Sequence, residues 1–234
     1  MIKAEGLTKR FGKTEALAKF DCTVPDGCIY GLVGSNGAGK STFLRLLAGI
    51  YRPDGGSVTI DGKPVFGSCD ILEQMVMVPD ELYFVAGATI KRMAELYRNT
   101  RGYIDYERLA SLAGMIGLEL DRPIAQFSKG MKRQAATILA LACKPKYLLF
   151  DETFDGLDPV MRSVIKRIIS EDVLDRQTTV IITSHSLREL EDTCDQLALL
   201  HKGGLVLESD VADLKTSLFK VQIATGGDFT KEEI

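Results

Sequence analysis

The sequence predicts an α/β fold built on a mostly parallel sheet. Two observations carry this. Short apolar, strand-like runs alternate with segments of helical periodicity, and such alternation folds into a sheet covered by helices. Three of the apolar runs end in chemically capable residues, "GSNGAGKS", "DE" and "SH". In parallel sheets the carboxyl ends of the strands line the ligand crevice.

The first sixty-odd residues read as strands and turns. "CIYGLVG" (Cys28 to Gly34) is an apolar run ending in glycine, the pattern of a buried strand. "STFLRLLAGIY" (Ser41 to Tyr51) has apolar residues at helical spacing. "GGSVTIDGKPV" (Gly55 to Val65) alternates around an Asp61-Gly62 turn signal, which predicts strand, turn, strand. From about Glu81 to Leu120 the pattern turns helical, most clearly in "TIKRMAELYR". "KYLLFDE" and "TTVIITSH" are buried strands with polar ends. No repeat, low-complexity segment or linker interrupts the chain. The polar residues 222–234 read as a loose tail.

The 234 residues are enough to bury a sizeable core. An apolar share of 45% and a net charge of −3 are ordinary for a soluble globular protein. That charge disfavours a nucleic-acid partner bound by bulk electrostatics. The five cysteines form no C-x-x-C pair, and only two histidines accompany them. Reduced thiols, rather than a zinc site or a disulfide framework, are the expectation. "MIKAEGLTKR" has no apolar leader segment, so no signal peptide is expected. No run approaches the ~18 apolar residues of a membrane span.

The strongest motif is "GSNGAGKST": Gly34, Ser35, Asn36, Gly37, Ala38, Gly39, Lys40, Ser41 and Thr42. It matches G-x-x-x-x-G-K-[ST] between a strand and a helix, the context a phosphate-binding loop requires. Its glycines let the backbone wrap a polyphosphate, with N–H groups pointing inward. The helix beginning near Lys40 adds its positive end. Lys40 can reach the outer phosphates, and the Ser41 hydroxyl can ligate Mg²⁺. This implies a nucleoside triphosphate without specifying which.

Asp151 and Glu152 follow a buried strand. In a phosphoryl-transfer site Asp151 would hold Mg²⁺ and Glu152 would orient the attacking water. A merely solvated strand end is the competing reading. His185 ends another strand and could bond a γ-phosphate or the water, although a lone histidine is more often structural. His201 lies in a turn and receives no role. "FSKGMKRQ" (Phe127 to Gln134) has two readings. It is either a helix start with a solvated basic turn, or half of a site completed by a second chain.

In their order along the chain, the phosphate loop, "FSKGMKRQ", "YLLFDE", "DGLDP" and "TSH" resemble the nucleotide-binding subunit of an ATP-binding-cassette (ABC) transporter. The resemblance runs from Met1 to about Val221. It implies a P-loop NTPase core with an N-terminal antiparallel β-subdomain and a helical subdomain at about 81–135. It further implies ATP as substrate and Mg²⁺ as cofactor. By resemblance, Glu152 is the catalytic carboxylate, His185 the switch histidine, and Asp158 a residue that reaches toward a partner subunit. Phe11 falls where the family stacks an aromatic on adenine; core packing is the other reading. Ser128 and Gly130 fall in the signature that contacts the γ-phosphate held by the opposite subunit. Ser128 is a good N-cap type, and Lys129, Lys132 and Arg133 would add positive potential.

Several residues depart from the family pattern, among them Phe127 in place of leucine, which should be harmless if the position is packing. Lys129 stands in place of glycine and Met131 in place of glutamine, a form that resembles bacterial exporters and peptide-antibiotic resistance transporters. After "MVMVP" the family has glutamine, and here Asp80 stands, followed by Glu81. Aspartate can ligate Mg²⁺ but cannot donate as an amide does. The expectation is an ATPase motor working as a homo- or heterodimer on a separate transmembrane permease, from the cytoplasmic face of the membrane. The segment from Glu81 to Tyr97 would dock that permease. A non-transport ABC ATPase, a P-loop nucleotide kinase and a regulatory ATP-binding module are the rivals.

Overall fold

The computed structural model describes residues 1–217. The polar tail at 222–234 and the boundary at 221 lie outside the described residues. In chain order the first elements are β1 (Ile2–Phe11), β2 (Thr14–Val24), β3 (Ile29–Val33), α1 (Lys40–Leu47), β4 (Gly55–Ile60), β5 (Lys63–Pro64), α2 (Cys69–Leu72) and β6 (Met75–Val78). Then come α3 (Ile90–Arg101), α4 (Tyr106–Ile116), a 3₁₀ turn at Ile124–Gln126, α5 (Lys129–Ala142), β7 (Tyr147–Phe150) and α6 (Pro159–Arg176). The last are β8 (Thr179–Ser184), α7 (Leu187–Leu190), β9 (Gln196–His201), β10 (Gly204–Asp210) and α8 (Val211–Ser217).

Two sheets form. The N-terminal one is antiparallel, in the order β2-β1-β4-β5. Its Asp61-Gly62 turn has φ of +50° and +76°, the pair of left-handed residues that a tight hairpin needs. The larger sheet has the order β10-β9-β3-β8-β7-β6. Strands β9, β3, β8, β7 and β6 run parallel, and β10 turns back antiparallel at the edge.

The apolar runs of β3, β7 and β8 are buried throughout because both faces of the larger sheet are covered. Successive side chains enter opposite cores. Tyr30, Leu32, Tyr147, Leu149 and Ile181 pack with α1 and the antiparallel sheet. Ile29, Val33, Leu148, Phe150, Val180 and Ile182 pack with α3 to α6.

The helical region differs from expectation at its start. Residues 81–89 are not helix. Gly87 lies in the left-handed region at φ +66°, and the Thr89 hydroxyl accepts from the Arg92 N–H, which starts α3 at Ile90. Leu82, Phe84 and Val85 pack against the core as loop residues. Helix α5 is buried on every side from Arg133 to Ala142, not along one stripe. It is a central strut between α3, α4, α6 and β6. Helix α1 stops at Leu47, before the expected Tyr51, and Gly49 then turns left-handed at φ +69°.

Candidate nucleotide site

Strand β8 lies between β3 and β7. In register, Val33 pairs with Ser184, Phe150 with Ile182 and with Val78. The residues that follow these ends are Gly34, His185, Asp151 and Pro79-Asp80. Four loops distant in sequence thus start along one edge, over a cleft of about 370 Å³. Its walls are Thr14–Ala16 of β2, the loop from Asn36 to Thr42, Asp80 and Glu152.

The phosphate loop is built on close backbone approach. Gly39 has φ +113°, and a Cβ there would stand 2.5 Å from the Ala16 carbonyl oxygen; only glycine fits. Gly39 is also the N-cap of α1 and offers no side-chain cap. The first N–H groups of α1 are therefore left for an anion. Lys40 is 5% exposed. Its Nζ donates to the Gly34 carbonyl at 2.6 Å and lies 3.2 Å from Glu152 Oε1.

Asp151 is fully buried. Its Oδ1 accepts from Ser41 Oγ at 3.0 Å and from Thr183 Oγ1 at 2.8 Å. Its Oδ2 is buried with no partner. A buried carboxylate oxygen without a hydrogen bond is costly, and beside a serine hydroxyl it fits a hard divalent cation that prefers oxygen ligands.

Glu152 sits at φ +50°, a conformation that costs a non-glycine residue about 1–2 kcal/mol. Its surroundings hold it there. Its N–H donates to Thr183 Oγ1 at 3.1 Å. Its Oε2 accepts from the His185 backbone N–H at 3.3 Å and lies 3.0 Å from His185 Nδ1. Lys40, Glu152 and His185, predicted separately, therefore form one connected group. Thr183 was missed. Its one hydroxyl donates to the Asp151 carboxylate and accepts from the Glu152 backbone N–H, and the only hint in sequence is a threonine two positions before His185.

Asp80 lines the cleft, but it is not alone. Arg133 Nη2 donates to Asp80 Oδ1 at 2.7 Å. Arg133 is 1% exposed, so the expectation that Lys129, Lys132 and Arg133 all add positive potential at the start of α5 is corrected for Arg133. Arg133 points inward, and Lys129 pairs with Asp155 at 2.6 Å. That hydrogen bond holds the Asp155 carboxyl below its usual range.

Ser128 and Asp158 lie outside the cleft walls, each at an exposed helix start. Ser128 Oγ accepts from the Met131 N–H at 3.2 Å and caps α5. Asp158 Oδ1 accepts from the Met161 N–H at 2.9 Å and caps α6. At Gly130 a Cβ would stand 2.8 Å from the Gly156 carbonyl, so the start of α5 and the turn after Glu152 touch through backbone. Phe127 is buried packing, with Arg122 over its ring. Phe11 is 45% exposed, which removes the core-packing reading. It meets Tyr51 edge-on at 5.3 Å and pairs across the hairpin with Thr14, a cleft residue, without itself lining the cleft.

A phosphate loop, two carboxylates and a histidine on adjacent strand ends define a P-loop nucleoside triphosphatase. The family model for ABC transporters matches residues 17–155. The ABC transporter ATP-binding protein YtrB of Bacillus subtilis (strain 168) is 29% identical, over 96% of this chain and 77% of the relative. The daunorubicin/doxorubicin resistance ATP-binding protein DrrA of Streptomyces peucetius is 33% identical, over 93% of this chain and 67% of the relative. A solved ATP-binding subunit of an ABC transporter superposes with a TM-score of 0.84 at 25% identity, covering 92% of each chain. The chain belongs to the ABC transporter family, as one of its ATP-binding subunits, and is an ATPase of that family.

Proposed function

We propose that this chain is the ATP-hydrolysing motor of an exporter, closing with a second such subunit around two ATP molecules and driving a separate transmembrane permease. The observation that carries this is the connected group Lys40–Glu152–His185, beside the unpartnered Oδ2 of Asp151. Among the described residues no helix is long and apolar enough to cross a membrane, so a partner chain would form the path. The chain would sit on the permease at the cytoplasmic face. Tyr83, 84% exposed in the loop before α3, supports a docking surface over residues 81–97. Export is favoured by the S-K-G-M form and by a relative named for drug resistance.

The chemistry follows from the contacts. Free backbone N–H groups of the loop and of the first turn of α1 would cradle the phosphates. Lys40, held in part by Glu152, would move to the arriving phosphate oxygens and leave Glu152 Oε1 for a water. Glu152 then orients that water and accepts its proton while His185 keeps Oε2 in place. General-base positioning of this kind is worth about 10²- to 10⁴-fold. Ser41 and Asp151, with Asp80 from the facing wall, would hold Mg²⁺, which when bound would offset phosphate charge. Ser128 and Gly130 at the start of α5 would face the γ-phosphate held by the other subunit, and Asp158 would lie near that interface. Phe11 would stack on adenine at the rim.

Glu152→Gln tests the assignment. Its amide keeps the shape but cannot accept the proton. Nucleotide binding should be retained, hydrolysis should fall by about 10²-fold or more, and an ATP-dependent dimer should accumulate on size exclusion. Unchanged turnover in this variant would remove Glu152 from the catalytic role.

A further inference from the structure

Arg133 is the largest fully buried side chain among the described residues. It lies on α5, five residues after the Ser128 cap. Its Nη2 donates to Asp80 Oδ1 at 2.7 Å; its Nη1 donates to the Pro79 carbonyl at 3.0 Å and reaches the Asp151 carbonyl at 3.5 Å. Its Nε is buried without a partner. One guanidinium thus spans the helix of the signature segment, the loop after β6 and the end of β7.

A buried guanidinium needs a charge partner, since desolvating it alone costs several kcal/mol. Asp80 supplies one, and Asp80 is half exposed on the cleft wall. The need runs both ways. The cleft wall already carries Glu152, with Lys40 as its cation, and Glu15, paired with Arg10, while Asp151 is buried next to Ser41. A further carboxylate beside a polyphosphate would repel it unless its charge were balanced. We infer that Arg133 is a positioning residue of the ATPase site: it neutralises and orients Asp80, so that an aspartate can face a metal-bound triphosphate without repelling it. This rests on the cleft being the nucleotide site.

The test measures affinity for a hydrolysis-resistant fluorescent ATP analogue, with and without MgCl₂, in a double-mutant cycle. Arg133→Met leaves Asp80 unbalanced, so metal-free affinity should fall on the order of tenfold. Asp80→Asn removes a charge and releases the guanidinium, so metal-free affinity should rise by a similar factor and the gain from Mg²⁺ should shrink. Arg133→Met with Asp80→Asn should return metal-free affinity to within about threefold of wild type. A purely structural Arg133 would show no such rescue, and a double variant as weak as Arg133→Met overturns the inference. If the Met variant does not fold, Asp80→Asn decides alone, because its side chain is surface-accessible. Unchanged metal-free affinity there sinks the idea. If wild-type protein binds no analogue, the nucleotide reading itself falls and takes this one with it. Binding by wild type that Lys40→Ala abolishes keeps the two failures apart.

Discussion

At the ends of β3, β7 and β8, polar groups meet partners from other strands: Ser41 and Thr183 on Asp151, Lys40 and His185 on Glu152. At the start of α5 the polar groups are engaged locally. Ser128 caps its own helix, and Lys129 pairs with the turn that follows Glu152. The first region is assembled by the sheet within one chain. The second is an exposed helix terminus whose positive end would suit an anion, while the cleft at which this chain's own nucleotide would sit is lined by other residues. In the proposed dimer, then, one half-site is assembled within the chain and the other would be completed by a second subunit. The two halves nevertheless touch, at Lys129–Asp155 and at Gly130 against Gly156.

The contrast can be broken hardest on the internal side. Thr183→Val removes the hydroxyl that serves both Asp151 and the Glu152 N–H, and leaves buried groups unsatisfied. It should cost about 1–3 kcal/mol of stability. ATP turnover should fall about tenfold or more as Glu152 loses its anchor. Denaturant unfolding and steady-state hydrolysis check the two effects separately. A variant with normal turnover would mean that the left-handed backbone at Glu152 does not depend on Thr183.

A smaller effect is expected at the exposed side. Lys129→Ala removes a mostly exposed ion pair, so the stability loss at neutral pH should stay below about 1 kcal/mol. Because Lys129 holds the Asp155 carboxyl below its usual range, the contribution is present above the unfolded carboxylate pKa and is lost as pH falls through the lowered folded value. The difference between wild type and variant should therefore vanish in acid. A gap that persists in acid would assign Lys129 a role other than this pair.

The same contrast separates what was legible in sequence from what was not. The phosphate loop was legible because its chemistry is local: nine consecutive residues bend one backbone. The strands ending at Phe150 and Ser184 were legible from continuous apolar runs. What sequence could not reveal was that β8, last of the three in chain order, inserts between β3 and β7. That insertion places Thr183 against the Asp151 carboxylate and the Glu152 N–H, and His185 against the Glu152 carboxylate. Arg133 was misread for a related reason. Next to Lys132 it read as one of three cations presented at the helix start, whereas α5 is buried on all sides beyond its first turn and carries the guanidinium inward to Asp80. The helix expected from Glu81 failed because apolar loop residues that pack against a core can mimic helical spacing until a left-handed glycine and a threonine cap intervene.

The central claim is that each ATP site is shared between two chains, and mixing variants tests it most directly. Lys40→Ala disables the internal half-site, and Ser128→Arg blocks the exposed half-site. Each variant alone should be inactive and monomeric with ATP. In a mixture, the heterodimer contains one site with an intact phosphate loop from the Ser128→Arg chain and an intact α5 start from the Lys40→Ala chain. The account predicts ATP-dependent association and recovered hydrolysis only on mixing. Folded variants that neither associate nor hydrolyse ATP when mixed, although the Ser128→Arg chain still binds nucleotide, would contradict it.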